Sequence, residues 1–390
     1  MPGSRMLTIA SLNFVTIGIV AALLGPALPD LARQTHSPLA AVGGVISALF
    51  VGALIAQVIG GPLNDRIGAA PLMRIGLGCL GLGMGGIALS HTLVFTLMCG
   101  VIMGLGHGTV DISTSVLVSV ASGDRNVVAL NLINVFFGAG AVAGPAMASV
   151  ALRWWHTTLP VFWLGALLAV SLIPCMALLP PLPPAPKTQT TSPPPRALWH
   201  VPLLWILGGI FLLYVGLENG MSGWISVYIQ RTTPAGLSVG ALIAASFWLA
   251  LTGGRILATV FGGRFTAATL LLLSLGTVLV GGCLLAASTG SLTLTIVATL
   301  LLGLGCGPVF PTALAMTTVA FPQSPGLAAS AVIALGSIGG ILIPWLEGII
   351  LTQGHAQLSS VFIASLAGGM VLLSWYLAQG KRTALLVKNH

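Results

Sequence analysis

The sequence predicts an all-α integral membrane protein with twelve transmembrane helices in two parallel six-helix pseudo-repeats. Three observations carry that expectation: charge is nearly absent, twelve apolar stretches are long enough to cross a bilayer, and the two halves share motifs at one offset. Of 390 residues, 56% are hydrophobic and 5% charged, with a mean hydropathy of +1.06. A soluble domain carries about 25% charged residues, so this chain cannot cover a water-facing surface. Its outside must face lipid, which excludes a soluble enzyme. Cys79, Cys99, Cys175, Cys283 and Cys306 are scattered through apolar stretches without a CxxC pair. They read as buried small residues, not as disulfides or a zinc site. The net charge of +8 does not signal nucleic acid, because the basic residues sit at helix ends, where membrane topology places them.

A spanning helix needs about 20 mostly apolar residues, and cutting at polar, Pro-rich or charged punctuation yields twelve stretches. The first, 6–29, follows Arg5 and exceeds a signal-peptide core, so it reads as a signal-anchor helix; it contains Asn13 and ends near Asp30. The second, 39–61, carries Gln57 and runs into Gly61-Pro62-Leu63-Asn64-Asp65-Arg66-Ile67-Gly68. The third is 72–90. In the fourth, 92–120, His107, Asp111 and Ser115 recur at spacing four and share one face. The fifth, 126–151, opens with Asn131 and Asn134 and continues through Phe136-Phe137-Gly138-Ala139-Gly140 to Pro145; the sixth is 157–180. Residues 181–199, rich in Pro, Ser and Thr, read as an extended cytoplasmic linker between an N-terminal bundle (1–180) and a C-terminal bundle (200–390).

In the seventh stretch, 200–228, Tyr214, Glu218 and Ser222 share a face, followed by Asn219 and Trp224 nearby. Gly216, Gly220 and Gly223 are expected to weaken this helix and expose carbonyls toward a cavity. The eighth, 237–261, contains Trp248 and Arg255, and the last four are 267–288, 291–318, 325–350 and 357–379.

The halves repeat. Gly104-Leu105-Gly106-His107-Gly108 matches Gly303-Leu304-Gly305-Cys306-Gly307 at an offset of 199. At that same offset Gly140 and Pro145 meet Gly339 and Pro344. One offset across two helix pairs marks a duplication. Six crossings return the chain to its starting side, so the copies are parallel. With the N-terminus inside, ten basic residues (Arg5, Arg66, Arg74, Arg125, Lys187, Arg196, Arg264, Lys381, Arg382 and Lys388) face the cytoplasm against three outside (Arg33, Arg153 and Arg231). Both termini are therefore expected in the cytoplasm of an inner cell membrane.

The loop Gly61-Pro62-Leu63-Asn64-Asp65-Arg66-Ile67-Gly68 resembles the G-x-L-x-D-R-x-G signature of the major facilitator superfamily, with Gly262-Gly263-Arg264-Phe265 as a degenerate second copy. Tyr214 through Trp224, and Leu130-Asn131-Leu132 through Pro145, look like the fucose permease-like and sodium-glucose transporter-1-like sugar porters. That group carries an acid in its first helix, where this chain offers Asn13. The resemblance implies halves that rock about a midplane site and a sugar as solute.

Polar residues deep in membrane helices are costly and mark pathways. Asp30, Asp65, Asp124 and Glu347 are read near helix ends, leaving Asp111 and Glu218 as the leading candidates. Asp111 with His107 is polar where the repeat partners Phe310 and Cys306 are not, which suits a proton carrier. An ion pair with Arg255, acting as an interdomain latch, is the competing reading. Glu218 beside Tyr214 suits sugar hydroxyls, with H⁺ or Na⁺ coordination as the competitor. Asn219, Asn131, Asn134, Gln57 and Trp224 are secondary candidates, and Asp65 and Arg66 are assigned to a cytoplasmic gate. No cofactor, metal or nucleic-acid partner is expected beyond a coupling ion. A monomer moving a small polar solute through the bilayer is the leading reading. A proton-coupled drug or metabolite exporter is the alternative, with an integral-membrane enzyme or sensor as the rival from another class.

Overall fold

In hydrocarbon every backbone N–H and C=O must find its partner within the segment, so long apolar runs have little choice but to form helices. The computed structural model describes residues 4–122, 126–179, 199–288, 290–322, 325–354 and 356–387, and no strand occurs among them. The helices are α1 (Ser4–Gln34), α2 (Leu39–Ile67), α3 (Ala69–Leu89), α4 (Leu93–Ser122), α5 (Asn126–Trp155), α6 (Leu159–Leu172), α7 (Pro202–Thr232), α8 (Leu237–Phe261), α9 (Ala267–Ala287), α10 (Leu292–Cys306), α11 (Val309–Ala320), α12 (Pro325–Thr352) and α13 (Ala356–Val387). Taking α10 and α11 as one span, Leu292–Ala320, twelve helices among the described residues are long and apolar enough to cross a membrane. Their outward faces carry Val58, Leu82, Val319 and Leu372, all highly exposed, a surface suited to lipid and not to water. The expected linker falls almost wholly outside the described residues.

The chain divides into two compact units. One comprises Met1–Thr188, Ser222–Gln230 and Pro234–Trp248; the other comprises Gln189–Met221, Arg231–Thr233 and Leu249–His390. In the first, α5 packs on α1, α4 on both α2 and α3, and α6 on α3. In the second, α9 lies against α10 and α13, and α12 against α11 and α13. Apolar burial does little to join helices already in lipid, so close backbone approach matters most. Glycine supplies it at equivalent points of both halves. A Cβ at Gly106 would strike Gly76 and Leu80 of α3, and one at Gly305 would strike Ser274 and Val278 of α9. Gly108 and Gly307 likewise admit the backbones at Ala53 and Leu251, while Gly140 and Gly339 admit those at Val15 and Leu212. The repeat seen as letters is thus a repeat of contacts.

Three local features depart from expectation. First, α7 is one unbroken helix. Its glycines make room for neighbours: Gly216 for Ile343, Gly220 for the Glu347 carboxylate, and Gly223 for Ile46. Second, the helical hydrogen bonding is interrupted in the tenth span, at Gly307–Pro308, although both residues keep right-handed helical backbone angles. Pro308 has no N–H to offer the Leu304 carbonyl, and that carbonyl instead lies where a Cβ at Gly254 would be. Third, Asp30 is buried and not at a watery helix end. Its Oδ2 accepts hydrogen bonds from Thr157 Oγ1 (2.7 Å), Thr158 N (2.7 Å) and Thr158 Oγ1 (2.9 Å), fastening the end of α1 to the start of α6. Arg33 donates to its Oδ1 at 2.7 Å and to the His156 carbonyl at 3.2 Å.

Candidate functional site

Among the described residues, the leading candidates fall into two buried polar groups, one in each unit. In the first unit, Gly104, Gly108, Asp111 and Ser115 follow one another along one face of α4. The glycines bring that face onto Leu49 and Ala53 of α2. Gln57 falls between Ala53 and Gly60, whose α4 neighbours are Gly108 and Ile112, so it stands level with Asp111. Asp111 accepts a hydrogen bond from Ser115. His107 is half-buried, and its enclosed Nε2 has no hydrogen-bond partner in the protein. On α7, Ser222 accepts from Trp248 Nε1 at 2.8 Å, and Trp248 sets its ring edge-on to Phe137 at 5.9 Å. Trp224 is fully buried, its ring filling the space that a side chain at Gly43 of α2 would need.

In the second unit, Tyr214 and Glu218 lie one turn apart on α7, only 1% and 8% exposed. Arg255 of α8 brings Nη2 within 4.0 Å of Glu218 Oε1, close enough for an ion pair but too long for a hydrogen bond. The Arg255 Nε is enclosed without a hydrogen-bond partner, and the equally enclosed Tyr214 hydroxyl lies within loose reach of the Glu218 carboxylate without forming a well-aligned hydrogen bond to it. Cys306, at the broken end of α10, is a buried neighbour of the same charges. Few buried polar atoms in folded proteins lack a partner. Here a phenol, a carboxylate and a guanidinium converge in apolar surroundings, and two of their donor atoms lack well-formed hydrogen bonds.

The carboxylate that Arg255 meets is Glu218, where the sequence had offered it Asp111. The reason is depth. Because α7 runs on to Thr232, Glu218 sits near its middle and not in its outer half, at the level Arg255 reaches. Asn219 is spent on its own helix, donating to the Val215 carbonyl at 2.8 Å, and the exposed Asn134 does the same to Leu130 at 2.9 Å. Arg66 is exposed at the end of α2. The side chains of Asp65 and Asn131 lie outside the described residues.

Two buried groups escaped the sequence reading. Glu347 is 3% exposed; Ser359 of α13 donates to its Oε1 at 3.4 Å, and its Oε2 has no partner. Its signal was the spacing of four shared by Gly216/Gly220 and Ile343/Glu347. The fully buried Asn13 donates to Thr114 Oγ1 at 3.2 Å and to the Met73 sulfur at 3.4 Å, tying α1 to α4 and α3. Nothing in the local pattern announced that.

Comparison with known proteins gives consistent results. The model described as Major Facilitator Superfamily matches residues 10–259. Bypass of stop codon protein 6 of Saccharomyces cerevisiae is 24% identical over 384 residues, 86% of this chain and 75% of that protein. Sodium-dependent glucose transporter 1A of Mus musculus is 23% identical, covering 88% of each chain. The glucose/mannose transporter GlcP of Bacillus subtilis is 22% identical, over 93% of this chain and 92% of its own. The match to the Rattus norvegicus sodium-dependent glucose transporter 1 is local, 29% identical over 32% of that protein. Among solved structures, a D-xylose-proton symporter superposes with TM-score 0.80 and 13% identity, covering 96% of this chain and 98% of the other. The nucleoside transporter NupG superposes at 0.74 and 16%, covering 96% and 98%. At such identity the likeness is one of fold alone.

Proposed function

Because the chain belongs to the major facilitator superfamily, we propose that it is a secondary transporter moving a small polar solute, a sugar, by alternating access coupled to H⁺ or Na⁺. One observation carries the solute class: a phenol, a carboxylate and a guanidinium cluster in an apolar setting at Tyr214, Glu218 and Arg255, with the Tyr214 hydroxyl and the Arg255 Nε short of well-formed hydrogen bonds. A carboxylate accepts two hydroxyls, a guanidinium nitrogen and a phenol donate to ring or hydroxyl oxygens, and a polyhydroxy solute offers both kinds of atom. The names of the glucose/mannose and sodium-dependent glucose transporters point the same way.

In this reading Glu218 and Arg255 hold the solute, and Asp111 is the coupling group, taking up and releasing a proton beside His107 and Ser115. Glu218 need not be protonated, since Arg255 already answers its charge. The chain works as a monomer in an inner cell membrane with both termini cytoplasmic, and Asp65 and Arg66 belong to the cytoplasmic gate. The test is a thermal-shift screen of purified protein against sugars, nucleosides, amino acids and hydrophobic cations, across pH and with and without Na⁺. The hits are then assayed for uptake into proteoliposomes. Stabilisation by a hexose or pentose, followed by gradient-driven uptake, is expected. Stabilisation by hydrophobic cations alone overturns the sugar reading in favour of an exporter.

A further inference from the structure

Behind the break between α10 and α11 lies an open crevice of about 230 Å³, walled by α8, α9 and the broken span. Leu257, Phe261, Phe265, Leu273, Leu304 and Pro308 line it, and its polar side chains are Ser274 and Thr277 alone. No residue of the Tyr214–Glu218–Arg255 group contributes, so the crevice is not part of the solute site described above. Its lining reaches the end of α8, taken here as the mouth, where the chain makes a single 3₁₀ turn, Gly262–Arg264. Phe261, Gly262 and Phe265 all line the crevice and bracket Arg264 in the sequence. Arg264 is exposed and leans over the Phe261 ring at 5.2 Å from its centroid. Among the described residues it makes no ion pair, and the chain has only six acidic residues against fourteen basic ones.

We propose that this crevice binds an anionic phospholipid, one acyl chain lying along the α8–α9 wall and the phosphate resting on Arg264. The occupant follows from the juxtaposition. The walls are apolar and their side chains, Leu257, Phe261 and Leu273 among them, are well exposed, so they suit an acyl chain better than a hydrated solute. The one charge at the mouth is an unpaired guanidinium, whose fork of donors matches phosphate. In the orientation proposed above the mouth faces the cytoplasmic leaflet, where anionic lipids gather and basic pockets between helices hold their headgroups. A zwitterionic lipid brings its own cation to the mouth and loses that advantage.

The test uses the full chain in nanodiscs or mild detergent, with native mass spectrometry and thermal scans. Phosphatidylglycerol is compared with phosphatidylcholine of the same chains and with glycerol phosphate. Expected is retention of one phosphatidylglycerol, with a rise in melting temperature that phosphatidylcholine and glycerol phosphate do not produce. Arg264→Gln should weaken that retention about five-fold, the worth of one basic residue near an anionic surface. Leu273→Trp fills the crevice from a side chain already more than half exposed, so it folds normally and loses the lipid. Arg153→Gln, an exposed arginine elsewhere, leaves retention unchanged. Equal retention of phosphatidylcholine, stabilisation by glycerol phosphate alone, or undiminished binding in both crevice variants overturns the proposal. None of these readouts needs a transported solute, so the result stands apart from the sugar reading.

Discussion

At the scale of the residue, the Tyr214 hydroxyl is the sharpest test of the solute site. It is enclosed, makes no well-aligned hydrogen bond, and sits beside the Glu218 carboxylate, which Arg255 already attends. If it waits for a solute hydroxyl, Tyr214→Phe keeps the ring and removes one hydrogen bond of about 1 kcal/mol. Half-saturation for transport should then rise roughly five-fold, while thermal stability stays level or improves because an unsatisfied buried group is gone. A fall in stability with unchanged half-saturation counts against the assignment. Asp111 carries a second prediction. Asp111→Asn should retain solute exchange across equilibrated vesicles but lose accumulation driven by a pH gradient. A variant with a normal rate and normal pH dependence shows that coupling lies elsewhere.

At the scale of the element, the helix ends and interruptions make contributions to stability that can be measured. Pro308 interrupts the tenth span beside Arg255, and an interior proline costs a helix about 3 kcal/mol. Pro308→Ala should let α10 and α11 join, raise the melting temperature and slow transport, the trade expected of a break kept for function. Unchanged uptake would make the break merely structural. Asp30 is the opposite case, an element held shut. Its carboxylate serves one backbone N–H and two hydroxyls at the start of α6. Asp30→Ala should cost about 2 kcal/mol, at the upper end for a lost cap. Arg33→Ala should cost well under about 1 kcal/mol, since its side chain is 68% exposed and surface pairs contribute little. Equal losses in the two variants would show that the ion pair, and not the cap, holds the corner.

At the scale of the whole molecule, charge placement governs orientation. Ten basic residues lie on the side expected to be cytoplasmic and three on the other. A fluorescent protein fused at either end should therefore fluoresce, and alkaline phosphatase fused at either end should stay inactive. Active phosphatase at one terminus breaks the even count of crossings.

The sequence alone determined the class, the number of spans and the duplication, because lipid leaves a chain few options. Low charge demands a lipid-facing surface, apolar length sets the count, and glycines needed for close backbone approach keep their spacing in both copies. Asp111 and Glu218 stood out for the same reason: a carboxylate in mid-helix is costly enough to be conspicuous. Other matters depended on rotation and depth, which a linear pattern leaves open. Whether Gly220 loosens α7 or makes room for Glu347 turns on which helix lies opposite. Whether Asp30 meets water or Thr158 turns on how the α5–α6 corner folds back over α1. Arg255 meets Glu218 because two helices of unequal length bring those residues to one level, and only the tertiary structure sets that level.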